Sequence, residues 1–163
     1  MILAIDPGPL TSGVLCVGED GTFAGSDVVN DYVFALIKRN PTVIIEGMSF
    51  QGKMAGAEVL DTAFWIGRFY ECALRWYTKT PVVIKRREVL RLLKCENDAQ
   101  VRALMIEVYG PPKIKEVVTP TGKQGQPLKT KILTKQGPTY GVTGHAWQAL
   151  GLYHAWKVQN GKE

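Results

Sequence analysis

Residues 2–8, Ile-Leu-Ala-Ile-Asp-Pro-Gly, form the stretch that decides the fold of this chain. The apolar run predicts a buried strand over 2–6, and the Pro-Gly pair predicts a turn directly after Asp6. Residues 42–46, Thr-Val-Ile-Ile-Glu, are a β-branched run typical of a central strand covered on both faces, and this run ends at Glu46. Each of the two strands therefore carries one acid at its C-terminal end.

The remaining elements build a mixed sheet around these two strands. Residues 11–17 predict a strand that pairs back on the first one, and 22–29 predict a third, so the chain opens with an antiparallel meander. Further elements are predicted at 30–39 (helix capped by Asn30), 54–77 (helix), 81–85 (strand), 87–94 (helix), 97–109 (helix capped by Asn97 or Asp98) and 143–158 (helix capped by Thr143). This order predicts an α/β protein with helices on the faces of the sheet.

Size and composition indicate one soluble domain. The chain has 163 residues, is 45% hydrophobic and has a mean hydropathy of −0.04, which fits a single domain over 1–163 with a sizeable core. No apolar run approaches the roughly 20 residues that a membrane span needs. The N-terminus enters a strand without a basic leader, so we expect no signal peptide and a cytoplasmic protein. The three cysteines match neither a zinc pattern nor a disulfide framework.

Positive charge is concentrated in one segment of the chain. The net charge of +5 is compatible with a polyanionic partner. Between Gly110 and Gly144 the sequence has a single acid, Glu116, against six lysines: Lys113, Lys115, Lys123, Lys129, Lys131 and Lys135. The stretch is rich in proline and glycine and too long for an ordinary loop, so we predict a basic, flexible insertion at about 110–140.

The predicted helix 54–77 is apolar on two faces. One stripe contains Ala57, Leu60, Phe64, Gly67 and Leu74, and the other contains Trp65, Phe69, Cys72 and Trp76. A helix that is apolar on two faces must be covered on both. One face can pack on the sheet, and the other requires a further element or a second subunit.

Three potential metal ligands stand at the ends of these elements. Asp6 and Glu46 would emerge at one edge of the sheet if their strands are neighbours, and a divalent cation would relieve their mutual repulsion. His145 stands at the start of the last helix. The alternatives are that each acid caps a helix or pairs with a lysine, and that the histidine is a surface residue. Together, in a basic protein, the three ligands suggest a metal-dependent nuclease.

The order of these motifs resembles one family of nucleases. Asp6-Pro-Gly, then Thr11-Ser-Gly-Val, Ile45-Glu46, a long helix, a strand, a basic helix and a terminal His-Ala-Trp-x-Ala-Leu helix look like the RuvC-type Holliday junction resolvases, closest to their phage and prophage branch. The resemblance covers nearly the whole chain outside 110–139. It implies a ribonuclease H-like mixed five-stranded sheet, with three antiparallel strands followed by parallel strands, flanked by helices.

The resemblance also implies an active site and its metals. Asp6 and Glu46 would be the first two acids, and the last helix would add ligands at His145 and Gln148, three positions apart on one helix face. The family usually has aspartate at the last of these positions, and a neutral amide is the weaker ligand. The implied reaction is phosphodiester hydrolysis with two divalent ions, Mg²⁺ or Mn²⁺, of which one activates a water and the other stabilises the leaving 3′-oxygen.

Branched DNA and a second subunit are the implied partners. The candidate DNA contacts are Phe50, Lys53, Lys85, Arg86, Arg87, Arg91, Lys94, Lys129 and Lys131, which would grip phosphates without reading bases. Cutting two opposed strands of a four-way junction requires two active sites, so we expect a homodimer through helix 54–77, anchored by Trp65, Phe69 and Trp76.

Several other functions remain open at this point. The neutral Gln148 leaves room for a junction-binding module that is catalytically impaired, and Asp61 is an alternative fourth acid. A broader fork or flap nuclease, or a nuclease of RNA–DNA hybrids, fits the same motifs. Asp6-Pro-Gly-x-x-x-Ser-Gly also resembles the phosphate loop of actin-like ATPases, but those proteins need two such domains and the chain has the length of one.

Overall fold

A five-stranded sheet in the order β3-β2-β1-β4-β5 forms the centre of the protein. The computed structural model describes residues 1–39, 41–49, 56–76, 80–118 and 131–161. The strands are β1 (Ile2–Asp6), β2 (Thr11–Val17), β3 (Phe23–Val29), β4 (Thr42–Gly47) and β5 (Val82–Lys85). Strands β1, β2 and β3 pair antiparallel, and β1, β4 and β5 pair parallel. This confirms the mixed sheet predicted from the order of the elements.

Helices cover both faces of this sheet. They are α1 (Asn30–Ile37), α2 (Ala57–Trp76), α3 (Arg86–Leu93), α4 (Asp98–Tyr109) and α5 (Ala146–Gln159). On one face α5 packs on β1 and β2 and is itself covered by α3 and α4, around a buried core that includes Leu15, Ile44 and Leu150. On the other face α1 and α2 enclose Ile5, Ile45 and Phe69. Because β1 and β4 are covered on both sides, their sequences are continuously apolar up to the acids.

Two of the residues predicted to cap helices do not cap them in the structure. Asn30 is buried, accepts a hydrogen bond from the Ser12 hydroxyl (2.6 Å) and donates one to the Gly8 carbonyl (3.0 Å). It therefore secures the turn after β1 instead of capping α1. Helix α5 begins at Ala146, so Thr143 precedes it by too many residues to be its cap. The Asn97 cap is confirmed, since its side chain accepts from the backbone N–H of Gln100.

Helix α2 buries one of its two apolar stripes within the chain. Phe69 is fully buried, and the indole N–H of Trp65 donates to the Pro9 carbonyl at 3.0 Å. The other stripe, together with Trp76, faces solvent; its large exposed apolar residues are Leu60, Phe64, Leu74 and Trp76. Phe69 is therefore unable to anchor a dimer as predicted, because its side chain is fully buried. Trp65 is half-buried against the same core, and its role in a dimer stays a prediction.

The basic insertion contains regular structure that the sequence analysis missed. Strands β6 (Lys113–Val118) and β7 (Lys131–Gln136) pair antiparallel as a separate two-stranded ribbon. These strands are short, rich in lysine and without apolar alternation, and their pairing joins residues far apart in sequence. The chain then returns to the main sheet through a bridge between Val142 and Gly25. In the described part of the chain, no helix has the length and apolarity that crossing a bilayer requires.

Candidate active site

Asp6 and Glu46 end neighbouring strands at the same edge of the sheet. Ile5 of β1 pairs with Ile45 of β4 in parallel register, so the next residue of each strand is an acid that emerges beside the other. Both acids line one cavity of about 220 Å³, together with residues from the following loop, α2 and α3. The strands thus bring together two acids that are 40 positions apart in the sequence.

Burial and mutual repulsion disfavour the charged forms of these two acids. Burial raises the pKa of Asp6 to about 6, with a smaller upward contribution from the charge of Asp27. Burial likewise raises the pKa of Glu46 to about 8, and the neighbouring charge of Asp6 adds to the effect. Glu46 is only 7% exposed. Two adjacent carboxylates with little water around them form a site that a bound cation would stabilise.

Arg86 provides a positive charge inside this cavity. It is the first residue of α3, and its side chain donates to Glu46 Oε2 at 3.1 Å and forms an ion pair with Asp98, the first residue of α4. Its charge lowers the pKa of both Asp6 and Glu46. The sequence analysis grouped Arg86 with the DNA contacts. The structure instead places its guanidinium among the acids, because α3 begins directly at the end of β5.

His145 approaches Asp6 across a glycine in the sheet. Asp6, Gly13 and Asp27 face one another across β1, β2 and β3. A Cβ atom on Gly13 would overlap the His145 carbonyl group, so only glycine allows the chain to pass this close to the sheet. The His145 Nδ1 atom lies 3.9 Å from Asp6 Oδ2, and the side chain is 69% exposed. The predicted pairing of Asp6 with the start of the last helix is therefore present in the geometry.

Asp27 is a residue of this site that the sequence analysis missed. Its Oδ1 accepts the backbone N–H of His145 at 2.8 Å, which holds the chain just before α5. Its carboxylate packs against Gly144, which has a positive φ of 55° and no room for a Cβ. The sequence itself shows only an acid on β3. The place of Asp27 in the site depends on the strand register, which puts Gly13 between Asp27 and Asp6.

Gln148, at the position where the resemblance implies an active-site residue, lines a different cavity. It lies with Asp98, Arg102 and Trp147 in a space of about 410 Å³ between α4 and the start of α5. Its Oε1 is buried and has no hydrogen-bond partner among the described residues. His145, just before α5, approaches Asp6, whereas Gln148, three residues later, lines the cavity beside α4. A catalytic role of Gln148 stays a prediction.

The residues near Asp6 have the donor chemistry for one divalent cation. Within the described residues, no three or more His, Cys, Asp or Glu side chains converge as a complete metal site. Asp6 lies beside Glu46 on one side and His145 on the other, and Glu46 is engaged by Arg86. Two carboxylates and an imidazole suit Mg²⁺ or Mn²⁺. The buried, mutually repelling acids fit such an ion.

A basic groove adjoins the carboxylate cavity. It has a volume of about 820 Å³ and shares Met48 and Ser49 with the cavity. Its charged lining residues are Lys85, Arg87, Glu88 and Arg91. The backbone N–H of Arg87 donates to the Ser49 hydroxyl at 3.1 Å, which ties the loop after β4 to α3. Three of the predicted DNA contacts are therefore gathered on one surface beside the acids.

The remaining predicted DNA contacts fall elsewhere. Lys94 ends α3 in a left-handed backbone conformation with φ of 53° and is exposed, outside the lining of the groove. Phe50, Lys53 and Lys129 lie outside the described residues, and Lys131 lies on β7. Their roles stay predictions.

Comparison with known proteins identifies the fold. No protein-family model matches the sequence, and no curated protein matches it significantly. Among solved structures, the chain is similar to Thermus thermophilus RuvC in complex with a Holliday junction substrate, with 17% identity and a TM-score of 0.55 over 99% of this chain and 96% of that one. A second T. thermophilus RuvC structure has 16% identity and a TM-score of 0.53, with the same coverage. The chain thus has a RuvC-like, ribonuclease H-like fold.

Proposed function

We propose that this protein is a structure-selective DNA endonuclease that resolves four-way junctions by divalent-metal-dependent hydrolysis. The observation that carries this proposal is the pair of buried acids, Asp6 and Glu46, which open beside a groove lined by Lys85, Arg87 and Arg91. The likeness, over nearly the full length, to a RuvC in complex with a Holliday junction substrate supports a branched DNA substrate. We expect the protein to act in the cytoplasm of a bacterial or phage-infected cell.

The site's own residues would hold the cation and the reacting phosphate in a partly buried cavity. Asp6, Glu46 and His145 would be the donors, and Asp27 holds His145 through its backbone. A divalent ion bound here would supply Lewis-acid polarisation of the scissile phosphate. In the reaction a water oxygen forms a bond to phosphorus and loses a proton to the solvent, the P–O bond to the leaving oxygen breaks, and that oxygen takes up a proton and departs as a hydroxyl. The resemblance implies two ions, whereas the residues of this cavity provide donors for one.

The groove supplies affinity and orientation. Lys85, Arg87 and Arg91 offer positive charge to successive phosphates of a backbone that passes the acids. Contacts of this kind make binding sensitive to salt and give no base readout. In a dimer, selectivity for a branched substrate would come from the spacing and orientation of the two active sites, which must bind the same junction.

A homodimer would supply the second active site. The exposed face of α2 is the best candidate for the interface, because its large apolar residues Leu60, Phe64 and Leu74 are solvent-exposed in the single chain. Trp76 is also exposed, at the C-terminal end of α2 and on its other apolar stripe. We propose these four residues as anchors in place of the buried Phe69.

A junction-binding protein with impaired catalysis is the second candidate. Gln148 favours it, because the last helix offers a neutral amide outside the carboxylate cavity where an acid was expected. This candidate predicts tight binding of a four-way junction with no cleavage in either Mg²⁺ or Mn²⁺.

Cleavage assays on a panel of substrates test the proposal. A synthetic four-way junction, a fork, a flap and an RNA–DNA hybrid are incubated with the protein in Mg²⁺, in Mn²⁺ and with a chelator. We expect paired nicking of the junction that needs a metal and is lost in Asp6→Asn, while that variant still binds the junction. Equal cutting of forks and flaps would indicate the broader nuclease, and cutting by Asp6→Asn at the normal rate would refute the assignment of the site.

A further inference from the structure

The side chain of Arg86 lies among the acids of the site. A residue that only contacts DNA phosphates would instead be exposed on the surface. The Arg86 side chain is only 20% exposed, and it contacts Glu46 Oε2 at 3.1 Å and forms an ion pair with Asp98. It also lines the same cavity as Asp6. Because a guanidinium keeps its proton throughout the accessible pH range, the cavity contains a permanent positive charge.

The last helix supplies no acid to this cavity. Gln148 is uncharged and lines the neighbouring space with Asp98 and Arg102. Its buried Oε1 finds no hydrogen-bond partner among the described residues, so it does not bond to Arg86 either. An additional cation in the carboxylate cavity would therefore lack an anionic donor from α5.

A second divalent ion in this cavity would lie close to the guanidinium of Arg86. Arg86 is only 20% exposed and Glu46 only 7%, so water would screen the repulsion between the two cations poorly. Placing a second divalent ion there is therefore costly.

We propose that this centre takes one divalent ion, held by Asp6, Glu46 and His145, and that Arg86 serves as the second cation of the site. This inference rests on the nuclease function proposed above and specifies how its active site is built. A guanidinium forms charge-assisted hydrogen bonds to phosphate oxygens. Arg86 binds the scissile phosphate through the N–H groups that its acidic partners leave free, and it stabilises the negative charge that grows on the phosphate as the bond to the leaving oxygen breaks. Arg86 stays protonated, and the leaving oxygen takes its proton from water.

Counting bound ions tests the inference without relying on cleavage. The full chain is titrated with Mn²⁺ without DNA, by calorimetry and by electron paramagnetic resonance, and only ions lost in Asp6→Asn are counted. We expect one ion in the wild type and also in Arg86→Gln, because α5 offers no acid for a second ion in either protein. A count of two in the wild type would overturn the inference.

Single-turnover cleavage of a four-way junction tests the catalytic role. We expect Arg86→Gln to cleave about 10²–10³-fold more slowly, as expected for loss of one preorganised contact to the developing charge, with little change in junction affinity. Arg86→Lys keeps the charge but loses the planar fork, so we expect a rate between the two. Arg39→Gln removes an exposed arginine after α1 and serves as the matched control with an unchanged rate. Cleavage by Arg86→Gln at the wild-type rate would refute the role.

The two proposals fail in different ways. If Arg86→Gln does not fold, Arg86→Lys decides the question, and a wild-type rate in that variant would again overturn the role. If the wild type cuts no junction in either metal, the proposed function fails. If the wild type cuts junctions and binds two ions that depend on Asp6, the proposed function stands and only the one-ion inference fails.

Discussion

The carboxylate cavity and the basic groove share Met48 and Ser49 but hold their charges in opposite ways. Glu46 is almost fully buried, and burial raises its pKa to about 8. The side chain of Arg91 in the groove is 77% exposed, so water screens its charge. The comparison shows that burial decides the role of a charge here: the desolvated acids are set up for chemistry, and the solvated cations for affinity and steering.

The largest expected effect comes from removing a buried acid. Glu46→Gln keeps the size of the side chain, removes a donor of the proposed ion and leaves Arg86 without its partner in the cavity. We expect single-turnover junction cleavage to fall at least about 10³-fold, the upper range for one preorganised electrostatic contact. Junction affinity should change by only a few-fold, because the groove is untouched. An equally large loss of junction affinity would mean that the carboxylate cavity also contributes to binding, contrary to the proposal.

The second effect is on stability as a function of pH in the metal-free protein. Asp6 and Glu46 have ordinary pKa values of 3.8 and 4.5 and folded values of about 6 and about 8, so the folded state binds their protons more tightly than the unfolded state does. The free energy of unfolding should therefore fall as pH rises from about 4 to about 8, by roughly a few kcal/mol. Denaturant titrations with a chelator present would measure this change.

The control for this measurement is the double variant Asp6→Asn/Glu46→Gln. Its free energy of unfolding should be nearly independent of pH over the same window, because the two titrating groups are gone. Saturating Mn²⁺ should also flatten the slope in the wild type, since an ion that binds only the folded carboxylates stabilises it most at high pH. A wild-type slope that is flat without metal would show that the acids are better solvated than the structure indicates.

The third effect is steric and concerns the approach of His145 to the sheet. In Gly13→Ala the new methyl group would overlap the His145 carbonyl group. We expect a loss of about 1–3 kcal/mol in the free energy of unfolding, typical of overpacking, and a large drop in cleavage. Gly56→Ala is the matched control, because a methyl group there enters open space just before α2. Equal effects of the two substitutions would contradict the close approach at Gly13.

The smallest effect is expected in the groove. Arg91→Ala should weaken junction binding a few-fold and reduce the slope of log affinity against log salt by about 0.9, the amount for one lost phosphate contact. The cleavage rate of the bound junction should not change. Arg39→Ala, which removes an exposed arginine away from the groove, should alter neither quantity. A change in the rate at saturating protein would assign Arg91 to the chemistry instead of the binding.

The arrangement around Asp6 shows how far sequence reasoning reached. Two continuously apolar runs predicted buried strands that each end at an acid, and Asp6 and Glu46 were expected to meet if those strands are neighbours. The parallel pairing of β1 and β4 fulfils this condition. The role of Asp27 was not, since it depends on the antiparallel register that places Gly13 between Asp6 and Asp27. The inward position of Arg86 depends on where α3 starts relative to β5, and an error of one residue there would direct its side chain elsewhere.

Local patterns in the chain were enough to predict the strands, the main helices and the acids at the ends of β1 and β4, because apolar periodicity and turn residues act over a few neighbouring positions. Folding in three dimensions decided which apolar stripe of α2 is buried, that Arg86 faces acids, that Gln148 faces α4, and that the insertion contains a paired ribbon. These outcomes depend on register, helix rotation and contacts between residues far apart in sequence. The interaction energies that decide these outcomes come from contacts between segments, so the sequence of one segment does not specify them.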